Sequence, residues 1–189
     1  MSTLRRTLTT HFWILAGMVG VLWLLELADL LFWRGHLDAL GIRPRTQAGL
    51  RHLFIAPLLH RGLGHLMANT APLVVLGWLV LWRGIRAFLL VTGTAALVSG
   101  LGIWLFGSPN TIHLGASGVI FGYLGFLLGQ GYLERRGWAV ALAVGVLIVY
   151  GGMLWGLLPL RAGISWQGHL FGFVGGGIAA YWLADRVEG

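Results

Sequence analysis

Ser117 stands in Gly115-Ala116-Ser117-Gly118, where small neighbours leave a hydroxyl uncovered and let another backbone come near. Alone, such a serine also reads as a helix cap, because Ser is a favoured N-cap whose hydroxyl bonds the free N–H groups of a first turn. His169 supplies the partner that a nucleophile needs. An imidazole beside a serine hydroxyl takes its proton as general base and returns it to a leaving amine. His169, Gly172 and Gly176 are spaced i, i+3, i+7, so one helix face carries the imidazole together with small residues that permit close approach. A lone histidine there would otherwise read as one solvated at an interface. His65 and Asn69, spaced i, i+4, also share a face. Both can donate to a developing oxyanion, worth roughly 2.7 to 4 kcal/mol per donor. The competing reading is polar glue between helices, worth about 0.6 kcal/mol per contact in a membrane.

The elements that must position these residues follow from hydropathy. Of 189 residues, 57% are hydrophobic and 10% charged, with a mean hydropathy of +0.81. That leaves too little polar surface for a water-soluble globule and places the chain in a bilayer. Apolar runs predict helices near 12–33, 65–82, 86–106, 117–133, 138–157 and 169–184, each near the ~20 residues that cross a ~30 Å hydrocarbon core. The first run follows Arg5 and Arg6 but is too long for a signal-peptide core of roughly 7 to 15 residues. The expected architecture is an all-α membrane protein, a bundle of six transmembrane helices forming one domain over residues 1–189. The connection 34–64 mixes arginines with apolar stretches such as Leu53-Phe54-Ile55-Ala56-Pro57-Leu58-Leu59 and is expected to lie in the interface.

All 13 basic residues are arginine, which gives a net charge of +7. They fall mostly between apolar runs and not in one stripe, so they read as topology signals and headgroup contacts, with no nucleic acid as partner. Arg5, Arg6, Arg83, Arg86, Arg135 and Arg136 lie on one side and only Arg161 on the opposite short links. The positive-inside rule then puts the N-terminus in the cytoplasm, with connections 34–64, 107–116 and 158–168 facing outward. On the fourth helix Gly118, Gly122, Gly125 and Gly129 form a stripe, matched on the sixth by Gly168, Gly172 and Gly176. These two helices are expected to touch.

The six acids are Glu26, Asp29, Asp38, Glu134, Asp185 and Glu188, and none is placed to orient His169, so the machinery would be a Ser–His dyad. Paired mid-helix aspartates and an HExxH motif are both missing, which excludes aspartyl and zinc intramembrane proteases. No metal or other cofactor is expected. Cysteine is absent, which excludes disulfides and thiolate chemistry.

Three segments resemble the motifs of the rhomboid family of intramembrane serine proteases: Leu58 to Asn69 with His60, His65 and Asn69, then Gly115-Ala116-Ser117-Gly118 running into Gly122, then Ser165-Trp166-Gln167-Gly168-His169 running into Gly172 and Gly176. The resemblance implies Ser117 as nucleophile, His169 as base, and an oxyanion site from His65, Asn69 and the Ser117 backbone N–H. Gly115, Gly118, Phe121 and Gly172 would support the site. It also implies a water-accessible cavity open to the outside, a transmembrane protein substrate entering laterally from the lipid bilayer, and a wedge-like connection after the first helix. Many members carry a tyrosine where this chain has Phe121, and a Trp-Arg pair where it has Arg51-His52. His60 is expected to have a structural or tuning role. The all-arginine basic set and short length suggest a bacterial cytoplasmic membrane. The competing readings are an inactive client-binding member, a small proton-coupled transporter using His65, Asn69 and His169, and a structural scaffold.

Overall fold

A computed structural model describes residues 3–160 and 163–184; Arg161, Asp185 and Glu188 lie outside the described residues. The described chain is all-helical, its one strand-like feature being an isolated bridge between Ile42 and His113. Six long helices dominate: α1 (Thr3–Ala28), α3 (Leu63–Leu81), α4 (Ile85–Phe106), α5 (Ser117–Glu134), α6 (Gly137–Tyr150) and α7 (Trp166–Ala184), with a short α2 (Gln47–Arg51) in the first connection. Four segments are long and apolar enough to cross a membrane: Thr3–Trp33, Leu63–Leu81, Ile85–Phe106 and Gly137–Leu157. Glycine and polar residues dilute the hydropathy of α5 and α7, which fall outside that set. The chain is an integral membrane protein.

α5 is the axis of the bundle. Every residue from Gly118 to Leu127 is buried, as expected for a helix apolar on all sides. Leu15 and Leu22 of α1, Leu66, Leu73 and Leu76 of α3, and Tyr123, Leu124 and Phe126 of α5 form one core. Large apolar side chains such as Leu24, Leu31 and Phe32 on the first segment and Ile148 and Val149 on α6 point away from it, exposed as a lipid-facing surface would be.

The glycines explain how close the helices come. A Cβ at Gly172 would strike the Gly118 carbonyl oxygen, and one at Gly176 would strike that of Gly122. The α7 glycines thus admit the backbone of α5. Gly118 and Gly122 themselves turn toward α4, where a Cβ would meet Ser99 and Ala95. Ser99 Oγ donates to the Gly168 carbonyl at 2.8 Å, so α4 also ties down the first turn of α7.

Two element ends depart from the hydropathy reading. The first helix starts at Thr3, not near residue 12, so Arg5 and Arg6 are helical. α6 leaves α-geometry at Tyr150, where Gly151 and Gly152 are weak helix formers, and continues as a 3₁₀ segment over Gly151–Leu157.

The connection from 34 to 62 is held by protein contacts along its length. Arg34 and Gly35 take left-handed backbone (φ 53° and 84°) to end the first segment, and Asp29 accepts the Leu37 N–H at 3.1 Å. Thr46 caps α2 by accepting the Gly49 N–H at 3.0 Å. Arg45 donates to the Leu105 and Gly107 carbonyls at 3.0 and 2.9 Å, and Arg61 pairs with Asp38 at 3.3 Å. These two arginines therefore serve the fold, not headgroups alone as the charge pattern suggested. Carbonyls at the end of α4 lack intrahelical donors, and a guanidinium satisfies two of them at once.

Candidate active site

Ser117 is the first residue of α5, preceded by Ala116 as N-cap, and its side chain makes no capping bond. The hydroxyl instead faces α7, with Oγ 3.0 Å from His169 Nε2. The opposite ring nitrogen, Nδ1, lies 3.0 Å from the Gly156 carbonyl. A carbonyl only accepts, so Nδ1 carries the proton and Nε2 presents its lone pair to the serine hydroxyl. Phe121 stacks on the imidazole with ring centroids 4.2 Å apart and planes 11° from parallel.

Phe121, expected as a support of the site, thus packs on the His169 ring; Gly156 adds a directional hold that the sequence does not disclose. The α6 apolar run continues through residue 157, and nothing in it marks one carbonyl as turned inward. The Gly151-Gly152 pair was the available signal that regular helix stops there.

His65 and Asn69 of α3 converge on the loop before Ser117. A Cβ on Gly115, whose φ is +116°, would run into His65 Cε1 and come within 3.6 Å of Asn69 Nδ2. Glycine is needed there both for the backbone angle and for the close approach. Asn69 is 7% exposed, and its buried Nδ2 has no hydrogen-bond partner among the described residues. The Arg61 N–H points at His65 Nδ1 over a long 3.5 Å, which leaves Nε2 as the protonated edge toward Gly115.

His60 is 2% exposed and accepts the Ala116 N–H at Nε2 over 3.4 Å, while the Gly115 N–H donates to the Ala56 carbonyl at 2.9 Å. The strap before α3 thus fixes the loop that delivers Ser117. Burial pushes the His60 imidazole down to about 4, with His65 adding in the same direction, so the ring stays neutral and able to accept.

Ser117, His169, His65, Asn69 and Phe121 all line one cavity of about 1250 Å³, which Arg61, Asn110 and Trp166 also line. Gly118 and Gly172 lie behind it in the α5–α7 contact. Glu134 is at the opposite end of α5, paired with Arg83 at 2.5 Å and accepting from Gln130 at 3.1 Å, too remote to orient His169.

The rhomboid domain matches this sequence over residues 47–186, the stretch that holds all of these side chains. The chain belongs to the rhomboid family. Similar proteins include uncharacterized ones of Mycobacterium tuberculosis and Mycobacterium leprae, 45% and 41% identical over 185 residues; the alignments cover 91% of this chain and 77% and 73% of those relatives. A Bacillus subtilis protein named "Putative rhomboid protease YdcA" is 26% identical over 186 residues, covering 91% of this chain and 87% of its own. Within this rhomboid Gly156 and His113 are residues that motif reading passed over, and Ser165, which opens the third motif, was given no role there. His113 Nδ1 lies 2.8 Å from Ser165 Oγ, at the junction of loop 107–116 and α7.

Proposed function

We propose that this rhomboid is an intramembrane serine endopeptidase, a single membrane domain with six spans that cleaves other membrane proteins in or beside their transmembrane segments. The 3.0 Å pairing of Ser117 Oγ with a correctly protonated His169, at the wall of a large cavity, carries the reading. Ser117 attacks the scissile carbonyl as its proton passes to His169 Nε2. The carbonyl oxygen gains charge beside His65 Nε2–H, the free Asn69 Nδ2–H and the Ser117 N–H, which at a helix start has no intrahelical acceptor. His169 then gives its proton to the leaving amine. Water entering through the cavity hydrolyses the acyl-enzyme by the same steps in reverse order of proton flow.

A backbone carbonyl orients His169 as an aspartate would, but it carries no full charge to stabilise the imidazolium. Turnover is therefore expected to be slow. The large cavity, lined by polar and apolar side chains together, suits an extended segment of a helix that has unwound near small residues. In this reading α1 and α3 to α7 span a bacterial cytoplasmic membrane with the N-terminus inside, and the connection after α1, α2 included, lies in the outer leaflet.

The test is cleavage of a reporter with one transmembrane helix by the purified protein in liposomes. The parent is expected to release a defined fragment, and Ser117→Ala and His169→Ala to release none. Equal cleavage by either variant would eliminate the dyad, and no cleavage by the parent would favour an inactive client-binding member.

A further inference from the structure

His113 lies four residues before Ser117, and Ser165 four residues before His169. Its ring joins the two. Thr111 Oγ1 donates its only proton to the Ser108 carbonyl at 2.5 Å, so at 2.7 Å from His113 Nε2 it can only accept. His113 therefore holds its proton on Nε2, and bare Nδ1 accepts the Ser165 hydroxyl at 2.8 Å. The Ser165 carbonyl in turn accepts the His169 N–H at 3.1 Å. On the main-chain side His113 is fixed by two hydrogen bonds with Ile42, of 2.7 and 3.0 Å. A neutral ring is required by this arrangement, and burial together with the Arg61 charge lowers the His113 pKa in that sense.

We propose that, granted the Ser117–His169 chemistry above, His113 is a positioning residue that holds the nucleophile loop against the first turn of α7. It sets the Oγ to Nε2 separation without touching the reacting atoms. The loop 107–116 has no regular structure over most of its length, and α7 starts only at Trp166. The His113 to Ser165 bond is thus a side-chain tie between the segments that deliver the two reacting groups.

Four variants in detergent test this: His113→Phe, His113→Asn, Ser165→Ala and the double variant His113→Phe with Ser165→Ala. Misplacement of reacting groups by about 1 Å costs on the order of 100-fold. His113→Phe and Ser165→Ala are each expected to lower kcat by about 10-fold to 100-fold with KM nearly unchanged. Because they break one bond, the double variant is expected to be no slower than His113→Phe alone. An asparagine amide near the place of Nδ1 can still bond Ser165, so His113→Asn is expected to recover part of the loss. Losses that multiply in the double variant, or that fall on KM, would overturn the proposal, as would parental kcat in His113→Phe. Should His113→Phe fail to fold in a thermal scan, His113→Asn and Ser165→Ala decide the matter. Histidine ¹⁵N spectra give a readout that needs no turnover. Ser165→Ala is expected to shift both His113 Nδ1 and the His169 ring, and an unmoved His169 would overturn the coupling even if the parent proved not to be a protease.

Discussion

Asn69 Nδ2 is a buried donor without a partner among the described residues, a state that costs about 1 to 3 kcal/mol of stability. Under the proposed mechanism the amide gains its partner when transition-state charge develops beside Gly115. Asn69→Ala is expected to lower kcat by about 100-fold to 1000-fold while leaving KM nearly as it was; a change confined to KM would assign the amide to substrate binding. His60 makes a different prediction. Its pKa is about 4 in the folded protein and 6.5 when exposed, so protonation favours the unfolded chain. The stability this neutral ring contributes is intact above pH 6.5 and is lost as pH falls from 6.5 toward 4. A thermal-unfolding series over that range is expected to be flatter for His60→Gln than for the parent. At this scale type and spacing singled out side chains that the structure brings to one cavity, namely Ser117, His169, His65 and Asn69. The sequence was silent on Gly156, because a backbone carbonyl has no side-chain signature.

Helix α7 meets α5 through Gly172 and Gly176, whose missing side chains leave room for α5 carbonyls. Gly176→Ala is expected to lower stability by about 1 to 3 kcal/mol, as overpacking of a tight contact does. Its neighbour Gly177 has open space where a methyl group would stand, with nothing within 4 Å, so Gly177→Ala is expected to be neutral or slightly stabilising. Thermal unfolding in one detergent compares the two, and equal effects would contradict the packing described. The glycine spacing announced the α5–α7 contact. It did not announce that Gly118 and Gly122 face Ser99 and Ala95 of α4, since a glycine-lined helix can receive neighbours on more than one side. The break in α6 was hidden for a related reason: hydropathy is continuous through Leu157 and does not distinguish α from 3₁₀ geometry.

At the scale of the whole molecule, hydropathy disclosed an all-helical membrane bundle, and it was weakest for α5 and α7, the two helices that carry Ser117 and His169. Glycines needed for close packing, together with polar residues such as Gln130, Glu134, Gln167 and His169, lower their mean hydropathy. The connection after α1 was opaque because its order depends on distant partners such as His113, Trp104 and Gly107. The orientation reading has its own check, which the lack of cysteine makes clean. A single cysteine at Asn110 is expected to react with a membrane-impermeant thiol reagent on intact cells, and one at Arg136 only after permeabilisation; the reverse would invert the topology. The central claim, that His169 activates Ser117, is tested most directly by fluorophosphonate labelling of the purified protein with mass spectrometry of the adduct. A phosphonyl group on Ser117 in the parent, lost in His169→Ala, is the predicted result. An adduct that forms equally well in His169→Ala, or one that never forms on Ser117, would contradict it.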